Sequence, residues 1–296
     1  MTTYDLHYHP NIHGLGKGAR DARLARHRQW LKRAEVDVLA CTEHSYKRPR
    51  ESFLRLREAC EGLHTVIIPG MECISREGVD LIYLYEDEHL LERARRTFTA
   101  YSWKVEDAGL LAGDTNGILM VPHPFGLGSA CAGNILSPQR YAALLSVADY
   151  VEVHNGASLA GALLLKKAPR KMLPRVSGRC SQNTVLPGHL RGKGLGWSIG
   201  SDAHFPGEQY VVGGVRPGYR DESHFQALRR RLRFEPVWVR TPADRTSVHL
   251  LSVVMSGQCA AREGVAKRLG VKRRQAGNGA GGPGRFARWA IASLPG

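Results

Sequence analysis

The chain lacks the features that mark membrane proteins, secreted proteins and small scaffolds held together by disulfides. None of its apolar runs approaches the ~20 residues of a membrane helix, and the N-terminal MTTYDLHYHP has no basic stretch ahead of an apolar one. The cysteines are widely spaced without a CxxC pair, which is typical of reduced thiols and excludes a disulfide framework or a zinc knuckle. They are Cys41, Cys60, Cys73, Cys131, Cys180 and Cys259. These absences predict a cytoplasmic protein that does not enter the membrane.

Acidic residues are few relative to basic ones, and the imbalance is uneven along the chain. The sequence has 42 basic and 27 acidic residues, a formal net charge of +15. Residues 245–296 hold nine Lys or Arg against the single acid Glu263, a net charge of +8, and include the low-complexity run GNGAGGPGR. This composition favours a solvated, partly flexible extension; the alternative is an arm that binds nucleic-acid phosphates. We therefore divide the chain into a domain over residues 1–244 and a basic C-terminal extension over residues 245–296.

Short β-like runs alternate with helical stretches from Tyr4 to about Phe234. The β-like runs cover residues 4–9, 36–41, 65–72, 79–85, 117–122, 150–154, 197–201 and 210–215. Helices are predicted over residues 19–34, 50–62, 89–109, 138–147 and 221–233. Residues 159–193 are basic and punctuated by Gly and Pro, which indicates a helix and a long loop. The alternation predicts an α/β fold in which helices cover a parallel sheet.

Histidine and acidic residues recur at the C-terminal ends of these β-like runs. The motifs are DLHYH at 5–9, TEH at 42–44, PGME at 69–72, HP at 123–124, VEVHN at 151–155 and GSDAH at 200–204. His7 and His9 are two residues apart on a strand, so their side chains point to the same side. The strand ends of a parallel barrel converge on one mouth. Burying so many titratable groups there is costly unless their charge is compensated, and divalent cations are the simplest compensation.

The six motifs, in this order, resemble the PHP superfamily, the polymerase and histidinol phosphatase domain of metal-dependent phosphoesterases. The resemblance covers about residues 4–215 and implies a distorted (β/α)7 TIM-like barrel with two or three Mn, Zn or Fe ions at the C-terminal ends of its strands. It also implies three ligand sets. One ion would be held by His7, His9, Glu72 and Asp202, a second by the bridging Glu72 and His123, and a third by His44 and His204.

Two positions depart from the pattern of that superfamily. Its members commonly carry an Asp about seven residues after the first His, where this chain has Gly14, and the nearest candidate ligand is His13. They also commonly carry a His at the start of the strand after the bridging Glu, where this chain has Asp80. Asp is a competent hard ligand for these metals, so we expect Asp80 to bind metal and the metal preference to change. His13 is either a ligand or an ordinary loop histidine.

Other polar residues near the motifs are candidates for supporting roles. Asp5 and Glu152 are expected to orient metal-bound histidines or water. Lys47, Arg48 and Arg50 follow His44 in a loop, where they could recognise a substrate phosphate or form a solvated basic surface. The functional interpretation makes them the phosphate-binding side of the mouth.

The sequence thus predicts hydrolysis of a small phosphate monoester by a metal-bound hydroxide. A nucleotide, a nucleoside bisphosphate and a sugar or amino-alcohol phosphate all fit. One alternative is an amidohydrolase-type hydrolase, which shares the HxH motif, although no bridging lysine is evident. A second is a nuclease or exonuclease that uses the same site on nucleic-acid ends with the basic extension as anchor. A third is a binding protein with a structural metal cluster. Substrate specificity is expected to reside in residues 159–193.

Overall fold

A computed structural model of the chain describes residues 1–125, 130–157, 194–209, 211–216 and 222–239. The predicted helix and loop over 159–193 and the extension over 245–296 lie outside these residues. Every β-like run overlaps an observed strand. The strands are β1 (Thr2–Tyr8), β2 (Val38–Cys41), β3 (Val66–Ile74), β4 (Asp80–Leu84), β5 (Ile118–Val121), β6 (Tyr150–Asn155), β7 (Gly196–Gly200), β8 (Val211–Val215) and β9 (Glu235–Trp238).

The helices lie between the strands, and several begin at a side chain that accepts backbone N–H groups. Asp87, Ser137 and Ser223 each cap a helix in this way. The helices are α1 (Lys17–Ala34), α2 (Pro49–Ala59), α3 (Glu88–Thr97), α4 (Ala108–Asp114), α5 (Ala132–Ile135), α6 (Pro138–Val147) and α7 (His224–Arg229), with 3-10 turns at Ser45–Lys47 and Val105–Asp107. Among the described residues, no helix is both long and apolar enough to cross a bilayer.

The described strands form one sheet that curls into a nearly closed barrel. Their order is β7-β6-β5-β4-β3-β2-β1-β8-β9. The two ends of the β7-to-β1 arc meet at the mouth, because Asp202 N–H donates to the His7 carbonyl at 2.7 Å and His9 N–H to the Ala203 carbonyl at 2.9 Å. β8 pairs with the opposite end of β1, from Thr2 to Tyr4. The TIM-like barrel is therefore correct in outline, with nine strands in place of the expected seven.

Two strands run against the others, which the expectation of a parallel (β/α)7 barrel missed. β4 is antiparallel to β3 and β5, and β8 is antiparallel to β1 and β9. Only a tight turn joins β3 to β4: Ser75 N–H donates to the Val79 carbonyl, and Gly78 adopts φ +86°. A parallel partner would need a crossover of a dozen or more residues. Because β4 is reversed, its first residue, Asp80, lies at the same mouth as the C-terminal ends of its neighbours.

Two predicted helices are wrong in extent. The helix expected over 89–109 is split, because the chain leaves α3 at Phe98 and packs Phe98 and Trp103 against Tyr83, with ring centroids 4.2 and 6.3 Å from the tyrosine ring. Tyr101, at φ +62°, donates its N–H to the Ile74 carbonyl and so fixes this turn. The helix expected over 221–233 shortens to α7, since the chain from Leu232 to Phe234 instead pairs with Trp197 of β7.

A β-bulge in β1 turns the first histidine toward the barrel interior. Asp5 lies opposite Leu39 and Tyr8 opposite Cys41, so two residues, Leu6 and His7, face the single residue between those partners on β2. Regular alternation would place His7 on the opposite face from Leu6. The extra residue allows both to face inward, with Leu6 in the apolar core and His7 in the polar cluster above it. His9 then follows on the same face.

The apolar residues form two cores, one on each side of the sheet. The larger core, with Leu31, Leu56 and Tyr83 among its members, lies between the sheet and the helices. The smaller one fills the barrel from below with residues of most strands and of α7, including Tyr4, Leu6, Val38, Ile82 and Phe234. The polar cluster lies directly above this second core. The described cysteines, Cys41, Cys60, Cys73 and Cys131, are buried with free thiols.

Candidate metal centre

Seven side chains with metal-ligating atoms converge at the mouth of the barrel. They come from β1, from the segments after β2, β5 and β7, and from the middle of β3. Their ligand atoms form three overlapping groups, each with all atoms within 4.8 Å of one another. The groups are His7, His9 and Asp202; His7, Glu72 and His123; and His9, His44 and His204.

Glu72 lies at the centre of this cluster. Its Oε2 is 2.9 Å from His44 Nδ1 and 3.5 Å from His9 Nε2, and its Oε1 is 3.2 Å from His123 Nε2 and 3.6 Å from His7 Nε2. The side chain is 3% exposed. Its two oxygens thus lie near four imidazoles, and the bridging role that the superfamily resemblance implies for Glu72 stays a prediction.

The ring nitrogens of His7 and His9 point toward a common position. Their Nε2 atoms lie 3.0 Å apart, and each is within 3.6 Å of Asp202 Oδ1. Both residues are fully buried. Two imidazole nitrogens at this distance repel each other through their lone pairs unless a proton or a cation lies near both.

Burial and neighbouring charges shift the pKa values of different side chains in the cluster in opposite directions. Burial alone lowers the pKa of His7, but Asp202, Glu152 and Glu72 raise it to about 9. Burial and then the proximity of His9 lower the pKa of His204 to about 3. Burial alone raises the pKa of Glu72, yet the imidazoles around it, His44 first, hold it well below its usual range. The cluster thus combines an ionised carboxylate at Glu72 with a neutral imidazole at His204.

The donor set fits divalent transition metals. Imidazoles suit Zn, Fe and Mn with mixed nitrogen and oxygen ligands, and the carboxylates supply negative charge. His9 Nδ1 is buried and makes no hydrogen bond with the described residues, and the nearest carboxylate oxygen, Glu43 Oε1, is 3.7 Å away. The clustered His, Glu and Asp side chains are thus suited to binding metal ions.

Glu152 and Asn155 contact three of the candidate ligands, His7, His123 and Asp202. Glu152 Oε1 is 3.2 Å from His7 Nδ1, and Glu152 Oε2 accepts the His123 N–H at 2.6 Å. Asn155 donates to Glu152 Oε2 at 2.9 Å and to Asp202 Oδ2 at 3.3 Å. A bulge after Glu152 lets both side chains of β6 face the site although they are three residues apart. Glu152 is therefore placed where a histidine-orienting carboxylate is needed, and Asn155 adds a contact that the sequence did not suggest.

Asp5, which is expected to orient metal-bound histidines or water, makes its hydrogen bonds to backbone N–H groups and to the side chains of Ser201 and Gln209. Its carboxylate accepts the N–H groups of His7 and Ser201, the Ser201 hydroxyl and the Gln209 amide. Gln209 in turn accepts the Trp30 indole N–H at 2.7 Å. Burial raises the pKa of Asp5 to about 6 against these hydrogen bonds. Asp5 thereby ties the backbone of the first histidine strand to that of β7 and to α1.

Two further candidate ligands, Asp80 and His13, belong to none of the three groups. Asp80 is at the mouth, where burial and then the charge of Glu72 raise its pKa well above the usual range, but its carboxylate belongs to none of the groups. His13 lies in a neighbouring cavity, and no group among the described residues includes it. Its backbone is held in a loop that leads away from His9 to α1. The loop-histidine alternative therefore fits His13.

The basic residues after His44 line two adjoining cavities that share Arg48. Lys47 and Arg48 line a cavity of about 380 Å³ with His13, Gly14 and Arg20. Arg50 instead lines a groove between α2 and α3, which Arg48 borders from the other side. Lys47 Nζ donates to Asn11 Oδ1 at 3.2 Å and lies 3.9 Å from Glu43 Oε1, so it adjoins the metal-binding side chains. Arg50 is not among the residues that line the cavity with Lys47.

The sequence missed further residues at the site. Glu43 is fully buried next to His9 and accepts the Asn11 N–H at 2.8 Å. Cys131 Sγ is 3.6 Å from His123 Nδ1, the ring nitrogen that faces away from Glu72. The position of Glu43 within the TEH motif was a usable signal, whereas nothing local marked Cys131. His154, in contrast, packs edge-on against Trp238 and lies outside the cluster.

The backbone at two candidate ligands is strained. His123 has φ +27° and Asp202 has φ +51°, both in a region that residues other than Gly seldom adopt. Such positions persist where the surroundings fix them and concentrate at functional sites. Here the N–H of each is held, that of His123 by Glu152 and that of Asp202 by the His7 carbonyl.

Comparison with known proteins supports the fold but does not assign the chain to a family. No protein-family profile and no curated protein matches the chain. The crystal structure of PsfC from Pseudomonas syringae PB-5123 matches with a TM-score of 0.55 and 16% identity over 88% of this chain and 98% of PsfC. The lesion-specific endonuclease PfuEndoQ from Pyrococcus furiosus gives a TM-score of 0.48 at 12% identity over 77% of this chain and 55% of that protein. A complex of Endonuclease Q with a 27-mer duplex that carries an abasic lesion gives 0.47.

Proposed function

We propose that the chain is a metal-dependent phosphoesterase that hydrolyses a small phosphate monoester. The observation that carries the proposal is the position of Glu72, whose two oxygens lie within 3.6 Å of ring nitrogens from four histidines. A structural metal site is a closed set of about four ligands. Seven converging donors in three overlapping groups instead suit a site for several ions with positions left for substrate and water.

The chain's own residues would hold the ions in three sets. His7, His9 and Asp202 would hold one, Glu72 and His123 another, and His44 and His204 a third, so that each imidazole nitrogen serves a single ion. Ions bound there would supply Lewis acidity, which lowers the pKa of water and offsets the charge that develops on phosphoryl oxygens. The superfamily resemblance of the six motifs points to the same chemistry.

The residues around these ligands prepare them for binding. Glu152 lies 3.2 Å from His7 Nδ1 and so favours the tautomer that leaves Nε2 free of a proton. The hydrogen bonds of Asp5 keep the His7 and Ser201 backbones together, which holds His7 next to Asp202. Since ligands positioned in advance lose little conformational entropy on binding, these contacts raise metal affinity.

Lys47 and Arg48 are the proposed phosphate-binding side chains. Both line the cavity beside the cluster, and the Lys47 side chain, 15% exposed, lies next to Glu43. Cations placed there would orient an anionic substrate toward the ions and neutralise its charge.

A screen of phosphate release tests the proposal. The purified protein, loaded with Mn²⁺, Zn²⁺ or Fe²⁺, is assayed against sugar phosphates, nucleotides, nucleoside bisphosphates, amino-alcohol phosphates and short oligonucleotides. We expect metal-dependent release of inorganic phosphate from at least one monoester. Release of nucleotides from oligonucleotides without monoester hydrolysis would replace the phosphatase with a nuclease. Lack of hydrolysis with every metal would contradict the proposal.

Arg48 and Arg50 offer a matched pair of variants, because only Arg48 lines the cavity that holds Lys47. Arg48→Ala should raise KM for the monoester, because Arg48 lines the cavity, while Arg50→Ala should leave KM unchanged, because Arg50 lines the groove between α2 and α3. Metal content should stay constant in both. Equal KM values for the two variants would remove Arg48 from the substrate site.

A further inference from the structure

One face of α1 contacts the chain next to His9. Arg23 and His27 are four residues apart on this helix, so their side chains lie on the same side of it. The Arg23 guanidinium donates to the Asn11 carbonyl at 2.6 Å, two residues beyond His9. His27 is fully buried and belongs to none of the ligand groups found among the described residues. The helix thus places a buried polar side chain behind the strand that carries the first two candidate ligands.

His27 uses both of its ring nitrogens on the two neighbours of His9. Its Nδ1 is hydrogen-bonded to the Tyr8 hydroxyl, and its Nε2 lies 3.0 Å from the Pro10 carbonyl oxygen. Since a carbonyl oxygen can only accept, Nε2 carries the proton and Nδ1 accepts the Tyr8 O–H. Burial lowers the pKa of His27 to about 4, so the ring is neutral near pH 7. The two contacts together fix the ring in one tautomer.

The position of Tyr8 determines where the His9 ring points. Successive side chains of a strand project to opposite faces, and Tyr8 lies in the core between the sheet and the helices while His9 lies in the ligand cluster. The Tyr8 backbone is held as well, because its N–H donates to Thr42 Oγ1 at 3.0 Å and its carbonyl accepts the Thr42 N–H at 2.9 Å. A rotation of the strand that moved the Tyr8 hydroxyl away from His27 would therefore turn His9 out of the cluster.

Pro10 is the second point of attachment. It has no N–H, so its carbonyl is its one backbone hydrogen-bonding group, and that group accepts from His27. The next residue, Asn11, has φ +50° and begins the loop toward α1. His9 itself donates its N–H to the Ala203 carbonyl at 2.9 Å. The chain that enters and leaves His9 is thus held against one imidazole before it turns away from the mouth.

Packing alone does not explain a histidine at position 27. An apolar side chain of similar size would fill the same space without removing two ring nitrogens from water. The rings of Tyr8 and His27 meet edge-on with centroids 5.4 Å apart, a contact that a phenylalanine at position 27 could also make. The two hydrogen bonds add what apolar packing lacks, since they fix one orientation of the ring and of the strand beside it.

We infer that His27 is a positioning residue of the metal centre, which holds Tyr8 and Pro10 so that the His9 ring stays turned toward the ion. The inference rests on the metal centre of the proposed function and adds to it a side chain outside the ligand groups. A partner of a metal-binding histidine usually orients it by a hydrogen bond to the ring itself. His27 acts instead through the residues on either side of the ligand.

Metal affinity tests this role without turnover. Zn²⁺ is titrated into the metal-free protein in competition with a chromophoric chelator, and Co²⁺ is added in parallel because its visible absorption reports ligand geometry. His27→Phe keeps a buried ring but removes both hydrogen bonds, so we expect at least one ion to bind about 10-fold more weakly and the Co²⁺ bands to change. Tyr8→Phe removes one of the two hydrogen bonds and should cause a smaller loss. His27→Gln, which keeps an N–H donor for Pro10, should recover part of the affinity.

Leu31→Ala is the matched control, because Leu31 is fully buried on the same helix and belongs to the apolar core. It should lower the thermal stability but leave the Zn²⁺ affinity and the Co²⁺ spectrum unchanged. Equal losses of affinity in Leu31→Ala and His27→Phe would reduce His27 to a packing role and overturn the inference, as would an unchanged affinity in His27→Phe. If His27→Phe does not fold, Tyr8→Phe decides: weaker Zn²⁺ binding supports the inference, and unchanged binding overturns it.

The proposed function fails in a different way. If His27→Phe weakens Zn²⁺ binding while the unaltered protein hydrolyses no phosphate ester with any metal, the positioning role stands and the phosphoesterase does not. If the unaltered protein hydrolyses a monoester and His27→Phe binds Zn²⁺ with full affinity, the phosphoesterase stands and the positioning role does not.

Discussion

The upper and lower halves of the barrel interior are built from the same strands but have opposite chemistry. β1 contributes Tyr4 and Leu6 below and His7 above, and β3 contributes Ile68 below and Glu72 above. The lower half is an ordinary apolar core, which stabilises the fold by removing hydrocarbon from water. The upper half buries ionisable groups that oppose folding unless their charge is matched. The comparison teaches that stability and chemistry occupy separate layers of one barrel, so substitutions in each layer should have separable effects.

The largest expected effect is the loss of function on Glu72→Gln. The amide keeps the shape of Glu72 but removes the negative charge that faces four imidazoles, so ions should be lost and hydrolysis should fall by more than about 100-fold. Elemental analysis and phosphate release measure the two effects, and circular dichroism checks the fold. The matched control is Glu58→Gln, the same change on an exposed residue of α2. Full metal content with full activity in Glu72→Gln would contradict the bridging assignment.

The second prediction concerns Phe234→Ala, a substitution in the lower, apolar layer. Phe234→Ala removes a ring that is 2% exposed and packs on Tyr4 with centroids 5.0 Å apart. Loss of a buried Phe side chain should lower the free energy of unfolding by about 3–5 kcal/mol. Below its melting temperature the variant should still bind the same number of ions. Denaturant unfolding and elemental analysis test this together, and a variant that loses ions while folded would show that the layers are coupled.

Gly200→Ala tests how closely Gly200 packs against His7 and Glu152, at the boundary between the two layers. A Cβ at Gly200 would lie 2.3 Å from His7 Cβ and 2.5 Å from Glu152 Oε1, where neither neighbour can easily move. We expect a destabilisation of about 1–3 kcal/mol, as for other overpacked sites, together with weaker metal binding because His7 is displaced. Gly113→Ala is the control, since a Cβ there meets nothing within 4 Å. Equal thermal stability and metal affinity of the two variants would be evidence against close packing at this point.

The smallest effect is expected at His13. Because it belongs to none of the ligand groups, His13→Ala should leave the ion count unchanged and alter stability by no more than about 0.5 kcal/mol. His9→Ala, which removes a fully buried member of two groups, should lower the ion count. A loss of one ion from His13→Ala would restore His13 as a ligand.

The sequence predicted the strands and the convergence of the motifs because both follow from local patterns. Alternating apolar and helical runs located β1 to β8, and the recurrence of His and acid at strand ends marked the mouth. The antiparallel β4 was missed, although the short Ser75-to-Val79 turn leaves no room for a crossover. The bulge in β1 could not be foreseen, since it depends on pairing with β2 and not on the residues of β1 alone.

The candidate site could be predicted from the sequence only in part, because some of its contacts join segments that are distant along the chain. For residues within motifs, such as Glu72 and Asp202, the superfamily resemblance supplied a candidate role. Asn155 and Cys131 reach the site through a bulge and through the start of α5, and such contacts between distant segments leave no periodic trace. The basic loop shows a further effect of local structure: α2 begins at Pro49, and of the two flanking arginines only Arg48 lines the cavity with Lys47, while both line the groove between α2 and α3.

The central claim is that the upper layer is a metal centre that performs hydrolysis, and counting ions against activity tests it most directly. Purified protein is analysed for Mn, Zn and Fe per chain, stripped with a chelator, assayed for phosphate release, and assayed again after each metal is restored. The three ligand groups predict two or three ions per chain, loss of hydrolysis on stripping and recovery on reloading. Full phosphate release by the stripped protein, or a fully loaded protein that hydrolyses nothing, would contradict the account.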